Sequence, residues 1–178
     1  MNKIINKQEA NGRTDGFTLI ELLLYVTIVG TLLTAVTIFF ATTTEARVKN
    51  QSIVEVDQQG TLVMNHMLQT IRNADSITAP AAGATAASLT LAVPTAGLSP
   101  TIFDLNGTTL QVKEGVAAAV ALTNNKVQVS GLTFKNLTRA STPGIIQVSF
   151  TMSRINAGGR NEYDYQKTFV SSAALRQP

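Results

Sequence analysis

The sequence has no cysteine and no tryptophan, and only 14% of its residues are charged, against the usual quarter or so. Without cysteine there is no disulfide framework and no thiolate metal site, so redox chemistry says nothing about compartment. The formal net charge is only +3, and Lys and Arg never cluster. A nucleic-acid footprint needs a basic patch or stripe, so no direct nucleic-acid partner is expected. With a single histidine, His66, and few carboxylates, a Ser-His-acid arrangement would have to recruit that one side chain. His66 has no acidic residue three or four positions away and reads as a solvated side chain on the polar side of a helix.

What is present is an apolar run. From Leu22 to Ala41 there is no formal charge, and about twenty such residues are what a helix needs to cross the hydrocarbon core of a bilayer. A cleaved secretory signal would be shorter and followed by a small-residue cleavage site. Here Thr42, Thr43, Thr44 and Glu45 follow instead. A polar leader precedes the run, with Lys3, Lys7 and Arg13, and its charges favour retention on the cytoplasmic side, with the remainder outside. Glu21 stands just inside the run that begins at Phe17, and a carboxylate at such an edge is costly and normally has a task. No proline interrupts the segment, so Gly30 is where a bend or local melting is expected.

The stretch GFTLIELLL, Gly16 to Leu24, resembles the prepilin-type signal of type IV pilins and of the pseudopilins of type II secretion and DNA-uptake systems. The long helix after it extends the likeness. The resemblance implies cleavage between Gly16 and Phe17 by a prepilin peptidase, N-methylation of Phe17, and retention of the apolar segment in the mature chain. It also gives Glu21, then the fifth residue, a partner: the α-amino group of Phe17 on a neighbouring subunit of a filament. The implied partners are other pilins or pseudopilins, the peptidase and an inner-membrane assembly platform. The implied location is the inner membrane, single-pass, with the head outside the cytoplasm and destined for a filament. Neither a cofactor nor an enzymatic activity is implied.

Beyond Ala41 the pattern becomes amphipathic. Ile53, Val56, Gly60, Val63, Met64, Met67, Leu68 and Ile71 share one stripe at helical spacing, and Glu55, Gln58, Asn65, Gln69 and Asn73 lie opposite. Asp57 falls inside the apolar arc and is expected where the helix has not yet entered the head. The low-complexity segment from Ile77 to Ser88 reads as a loop ending the helix.

Short alternating runs follow: Leu89, Leu91 and Val93; a hairpin over Thr101 to Lys113 turning at Asn106-Gly107 in a type I′ turn; then Val116, Ala118, Val120 and Leu122, with Asn124-Asn125 as the next turn. The apolar phase slips between Val127, Val129 and Leu132, Phe134, which predicts a bulge near Gly131. Ile146 to Met152 makes the cleanest strand. Asn156 to Arg160 is a turn, and Tyr163, Tyr165 and Phe169 mark the last strand.

The resulting expectation is an α+β, pilin-like fold with one long N-terminal helix against an antiparallel head. Its divisions are a leader at 1–16, a transmembrane half at 17–41, an amphipathic half at 42–76 and a β-rich head at 77–178. The M-x-x-M-x-x-x-I-R-N-A pattern from Met64 to Ala74 is similar to J-type and W-type minor pilins. Glu162 and Asp164 are too few oxygen donors for a calcium cage, so no metal is expected. Asn106 and Asn136 head acceptor-like N-glycosylation triplets. Two readings compete: a minor pilin or pseudopilin, and a membrane-anchored binding or enzymatic domain with a pilin-like anchor. Which machine a pilin of this kind would serve (adhesion pili, DNA uptake or protein secretion) is left open by the residues.

Overall fold

The computed structural model describes residues 16–176. The leader residues 1–15, with Lys3, Lys7 and Arg13, lie outside the described residues. The chain divides into two compact units, Met1–Thr43 and Thr44–Pro178, and one helix, α1 (Leu19–Arg72), contributes to both. Gly30 does not interrupt it: the helical hydrogen bonds continue through that turn, and the Gly30 carbonyl also accepts the Thr34 hydroxyl at 2.9 Å. The expected melting is overturned: one glycine costs a helix only about 1 kcal/mol, too little to break a helix of 54 residues whose hydrogen bonds cooperate.

Within the second unit, α1 buries the side expected from its periodicity. Val56, Gly60, Val63, Met64, Met67, Leu68 and Ile71 are all buried, joined by Ser52 in place of the half-exposed Ile53. Ser52 can be buried because its hydroxyl donates to the Val48 carbonyl, leaving no orphan donor. The helix closes with the Arg72 carbonyl accepting from the Arg176 backbone at 2.9 Å, which satisfies one of its terminal acceptors.

Two antiparallel sheets cover this stripe. The first runs in the order β1 (Ser76–Ala79), β3 (Leu89–Ala92), β4 (Thr101–Asn106), β5 (Thr109–Glu114), β6 (Val120–Ala121). The second runs β2 (Thr85–Ala86), β7 (Val127–Asn136), β8 (Ile145–Arg154), β9 (Gln166–Ala174). The inward positions of both, including Leu89, Leu91, Phe103, Leu110, Phe134 and Phe150, form one core with the helix stripe. The layout is the α+β, pilin-like one that the pattern predicted.

Several local expectations are corrected. The segment read as a loop, Ile77 to Ser88, holds most of β1 and all of β2. Alanine-rich composition hid them, because small side chains carry little periodic signal. The hairpin turns one residue later than predicted: Asn106 pairs with Thr109, and Gly107 (φ 63°) and Thr108 are the loop. Positive φ at the first loop residue alone is the type II′ pattern, not type I′. Val116 is fully exposed and only Val120–Ala121 of that run pairs. Tyr163 lies in a short 3-10 turn before β9.

The predicted slip is present: β7 shifts register against β8 between Ser130 and Thr133, with Gly131 at φ 62°. Asn136 is buried and its amide donates to the Pro80 carbonyl at 2.7 Å. The folded head therefore does not offer it as a glycan acceptor.

Two acidic residues of the helix also differ from their reading. Asp57 is not outside the head: its carboxylate accepts from the Lys167 ammonium at 3.1 Å and the Tyr165 hydroxyl at 3.4 Å. Glu55 accepts from the Asn124 amide instead of facing solvent. Beside them, Gly60 admits the Phe169 ring, where any Cβ would collide with it, and that ring stacks on Phe150 at 5.3 Å. Gly60→Ala is expected to destabilise the head by about 1–3 kcal/mol, the usual cost of overpacking. Thermal melts checked against wild type would show it, and an unchanged melting temperature would mean that the ring shifts without penalty.

Candidate functional site

The candidate site is the start of α1. Gly16 and Phe17 precede the helix and are exposed, and nothing crowds the Gly16 α-carbon. Among the described residues, the peptide bond between them lies outside the helix and is uncovered. Thr18 is the N-cap: its hydroxyl oxygen accepts from the Glu21 backbone N–H at 3.3 Å. Thr18 and Glu21 stand three apart, the spacing of a capping box. In this structure only the threonine half is made. The Glu21 carboxylate accepts instead from the Tyr25 hydroxyl at 3.4 Å, one turn further on. The Tyr25 ring also sits 5.7 Å from that of Phe17. Glu21 is half-buried by these neighbours, while the apolar side chains around it are exposed.

The structure thus gathers Phe17, Glu21 and Tyr25 on one face, at successive intervals of four residues. Thr18 and Tyr25 have roles that sequence reading did not assign. The T-x-x-E spacing signalled the first, and the i, i+4 relation to Glu21 signalled the second.

Further along, α1 is long and apolar enough to cross a membrane. Its threonines do not spoil that property. Thr27, Thr31, Thr34, Thr37, Thr42 and Thr43 each donate their hydroxyl to a carbonyl three or four residues back. In hydrocarbon every polar group must find such an internal partner. The threonines therefore enter the apolar surface as methyl-bearing side chains.

The head offers no comparable chemistry. His66 is exposed, its ring edge-on to Phe103 at 6.0 Å. Glu162 pairs with Arg160, and Asp164 is exposed. Among the described residues no three His, Cys, Asp or Glu side chains gather where they could hold a metal ion.

The comparisons agree with the geometry at the N-terminus. Residues 12–37 match the prokaryotic N-terminal methylation motif, so the chain carries the prepilin-type signal of type IV pilins and pseudopilins. That signal, with the apolar helix behind it, supports a type IV pilin- or pseudopilin-like protein and fits a single-pass inner-membrane anchor. It suggests a structural subunit, processed by a prepilin peptidase and assembled with other pilins. Comparison with curated proteins and with solved structures finds no match for the chain.

Proposed function

We propose that this chain is a minor pilin or pseudopilin: a prepilin cut between Gly16 and Phe17, N-methylated at Phe17, and drawn from the inner membrane into a type IV pilus-like filament. The observation that carries the reading is the arrangement at the helix start. An exposed Gly16-Phe17 bond precedes a carboxylate held four residues further on, at the head of a helix whose next twenty residues carry no formal charge. In this reading residues 1–16 are the leader, 17–41 the membrane half, 42–76 the head-bound half of the helix and 77–178 the remainder of the head. The head stands outside the cytoplasm, and an inner-membrane assembly platform moves the subunit. Its work is assembly and not catalysis.

The glutamate's part follows from electrostatics. A carboxylate in a low-dielectric setting is heavily penalised alone and strongly stabilised beside a fixed cation. The hydroxyl of Tyr25 is a neutral partner, so it offsets only part of that penalty. The α-amino group of Phe17 on an adjacent subunit carries a full charge and is created only by cleavage. Pairing with it makes the filament favourable over the membrane for processed chains alone.

Intact-mass measurement of the protein from its own membranes is expected to give a chain starting at a methylated Phe17. The same chain is expected in sheared filaments at a small fraction of the main subunit. A mature start at Met1, or after Ala41, overturns the reading. Abundance equal to the main subunit overturns the minor role.

A further inference from the structure

A cleft of about 450 Å³ opens between α1 and the β7–β8 end of the second sheet, within the Thr44–Pro178 unit. Its charged lining is Glu55 from the helix, Lys126 just before β7 and Arg154 at the end of β8, with the amides of Asn50, Gln51 and Gln58 around them. Antiparallel pairing of Val127 with Arg154 sets the two cations side by side. One carboxylate serves both. Glu55 Oε2 is 4.0 Å from Lys126 Nζ and 4.0 Å from Arg154 Nη1, at the outer limit of an ion pair, while Oε1 accepts from Asn124.

Arg154 is the informative member. Its side chain is only 20% exposed, and its guanidinium lies over the Tyr163 ring at 5.8 Å. Among the described residues no oxygen accepts a hydrogen bond from it. A guanidinium has five N–H donors in a rigid fork suited to a carboxylate. Here the fork is fixed, largely desolvated and turned toward a cleft with one excess positive charge. Its unpaired donors are reached by solvent in the cleft, and a bidentate carboxylate can replace that solvent.

We propose that this cleft is a docking site for a carboxylate side chain, Asp or Glu, presented by a neighbouring protein chain; on the filament reading above, that chain is an adjacent subunit. The incoming carboxylate takes two parallel bonds from Arg154 and the charge of Lys126. Glu55 remains in the wall and leaves the cleft a net charge of +1, which a single carboxylate neutralises and a dianionic phosphate would overcompensate. The surrounding amides both donate and accept, which suits the peptide groups on either side of an acidic residue. The half-exposed Val54 offers apolar contact to its stem.

A water-soluble carbodiimide joins an amine to a carboxylate with no spacer, so Lys126 reports what lies in the cleft. The full-length protein is treated in the membranes and filaments of the producing cell, and the linked peptides are identified by mass spectrometry. A Glu55→Gln background removes the intrachain carboxylate that pairs with Lys126. The expected product is an amide between Lys126 and an Asp or Glu of another chain. Its yield should fall about tenfold in Arg154→Gln, the loss that about 1.4 kcal/mol of binding represents. Lys126→Glu, at a 58% exposed surface position, should lower co-purification with the linked partner similarly without disturbing the fold.

An Arg154→Gln yield equal to that of the parent overturns the proposal. So does coupling of Lys126 to carboxylates of its own chain only, since neither a free phosphate nor an empty cleft leaves an intermolecular pair. A Lys126 link to another chain in protein that never enters filaments keeps the docking site and removes the filament reading. Entry into filaments with no such link does the reverse.

Discussion

Glu21→Ala should be inserted and cut normally yet reach filaments at about one hundredth of the wild-type level. Leaving one member of a buried charge pair uncompensated costs about 3–5 kcal/mol, and each 1.4 kcal/mol is tenfold in an equilibrium. The alanine suits the bilayer better than the glutamate does, so the amount of membrane-bound protein should not fall. On the proposed reading, what disappears is the charge pair between Glu21 and a neighbour's Phe17 that favours the filament over the membrane. Glu21→Gln retains shape and can still accept from Tyr25, which holds the native carboxylate at 3.4 Å. It lacks the charge, and we expect it to behave like alanine. The two substitutions together distinguish electrostatics from local packing at the helix start. Shearing of filaments with quantitative blotting, and the N-terminal mass of each variant, provide the measurement. Wild-type incorporation of Glu21→Ala would make the carboxylate a bystander.

The second large effect lies in the head. Met67 is fully buried against the sheets, as is Val63 one turn earlier. Met67→Asp removes a side chain that fills the core and puts an unpaired carboxylate in its place. No cation of the described residues lies among the buried core around it. The expected loss is about 3–5 kcal/mol, a large fraction of the stability of an ordinary domain and enough to lower its melting temperature by roughly ten degrees or more. The comparison is best made on the region from about Glu45 onward, whose compact unit begins at Thr44 and which should give a soluble monomer. Circular dichroism melts of parent and variant decide it. A variant that melts with its parent would mean that the stripe does not pack as described.

How much of this was legible in the sequence depended on the range of each interaction. The helix stripe was readable because burial at Val56, Val63, Met67 and Ile71 follows from a period of 3.6 within one segment. The bulge at Gly131 was readable for the same reason, since a phase change in alternation is local. The signal around Gly16, Phe17 and Glu21 was the most legible part of all, being contiguous. Misreadings arose where partners are distant. Asp57 looked out of place on an apolar arc because Tyr165 and Lys167 stand 108 and 110 residues away. Glu55 looked solvated because Asn124 is 69 residues away. β1 and β2 were missed because they are short and hold one large apolar residue, Ile77, between them, and their identity as strands is set by pairing with β3 and β7. The turn at Gly107 was misplaced by one residue because Asn-Gly can close a hairpin in two registers, and the strands chose.

The distances in sequence that hid Asp57 also set an order of events. The helix stripe is made early in the chain, but part of its cover is made last. Phe169 on β9 fills the space at Gly60, and the Arg176 backbone meets the end of the helix at Arg72. Contacts between segments so far apart in sequence are slow to form, because closing a long loop costs entropy before any packing offsets it. Until residues 166–176 are in place, Gly60 has no Phe169 ring against it and the end of the helix lacks its Arg176 donor, so the apolar stripe is incompletely covered. A subunit in that interval is exposed to proteases and to mispairing with the strips of its neighbours. Completion of the head is therefore the event that closes the stripe, and truncation before β9 should yield a chain whose head is short-lived and never folds.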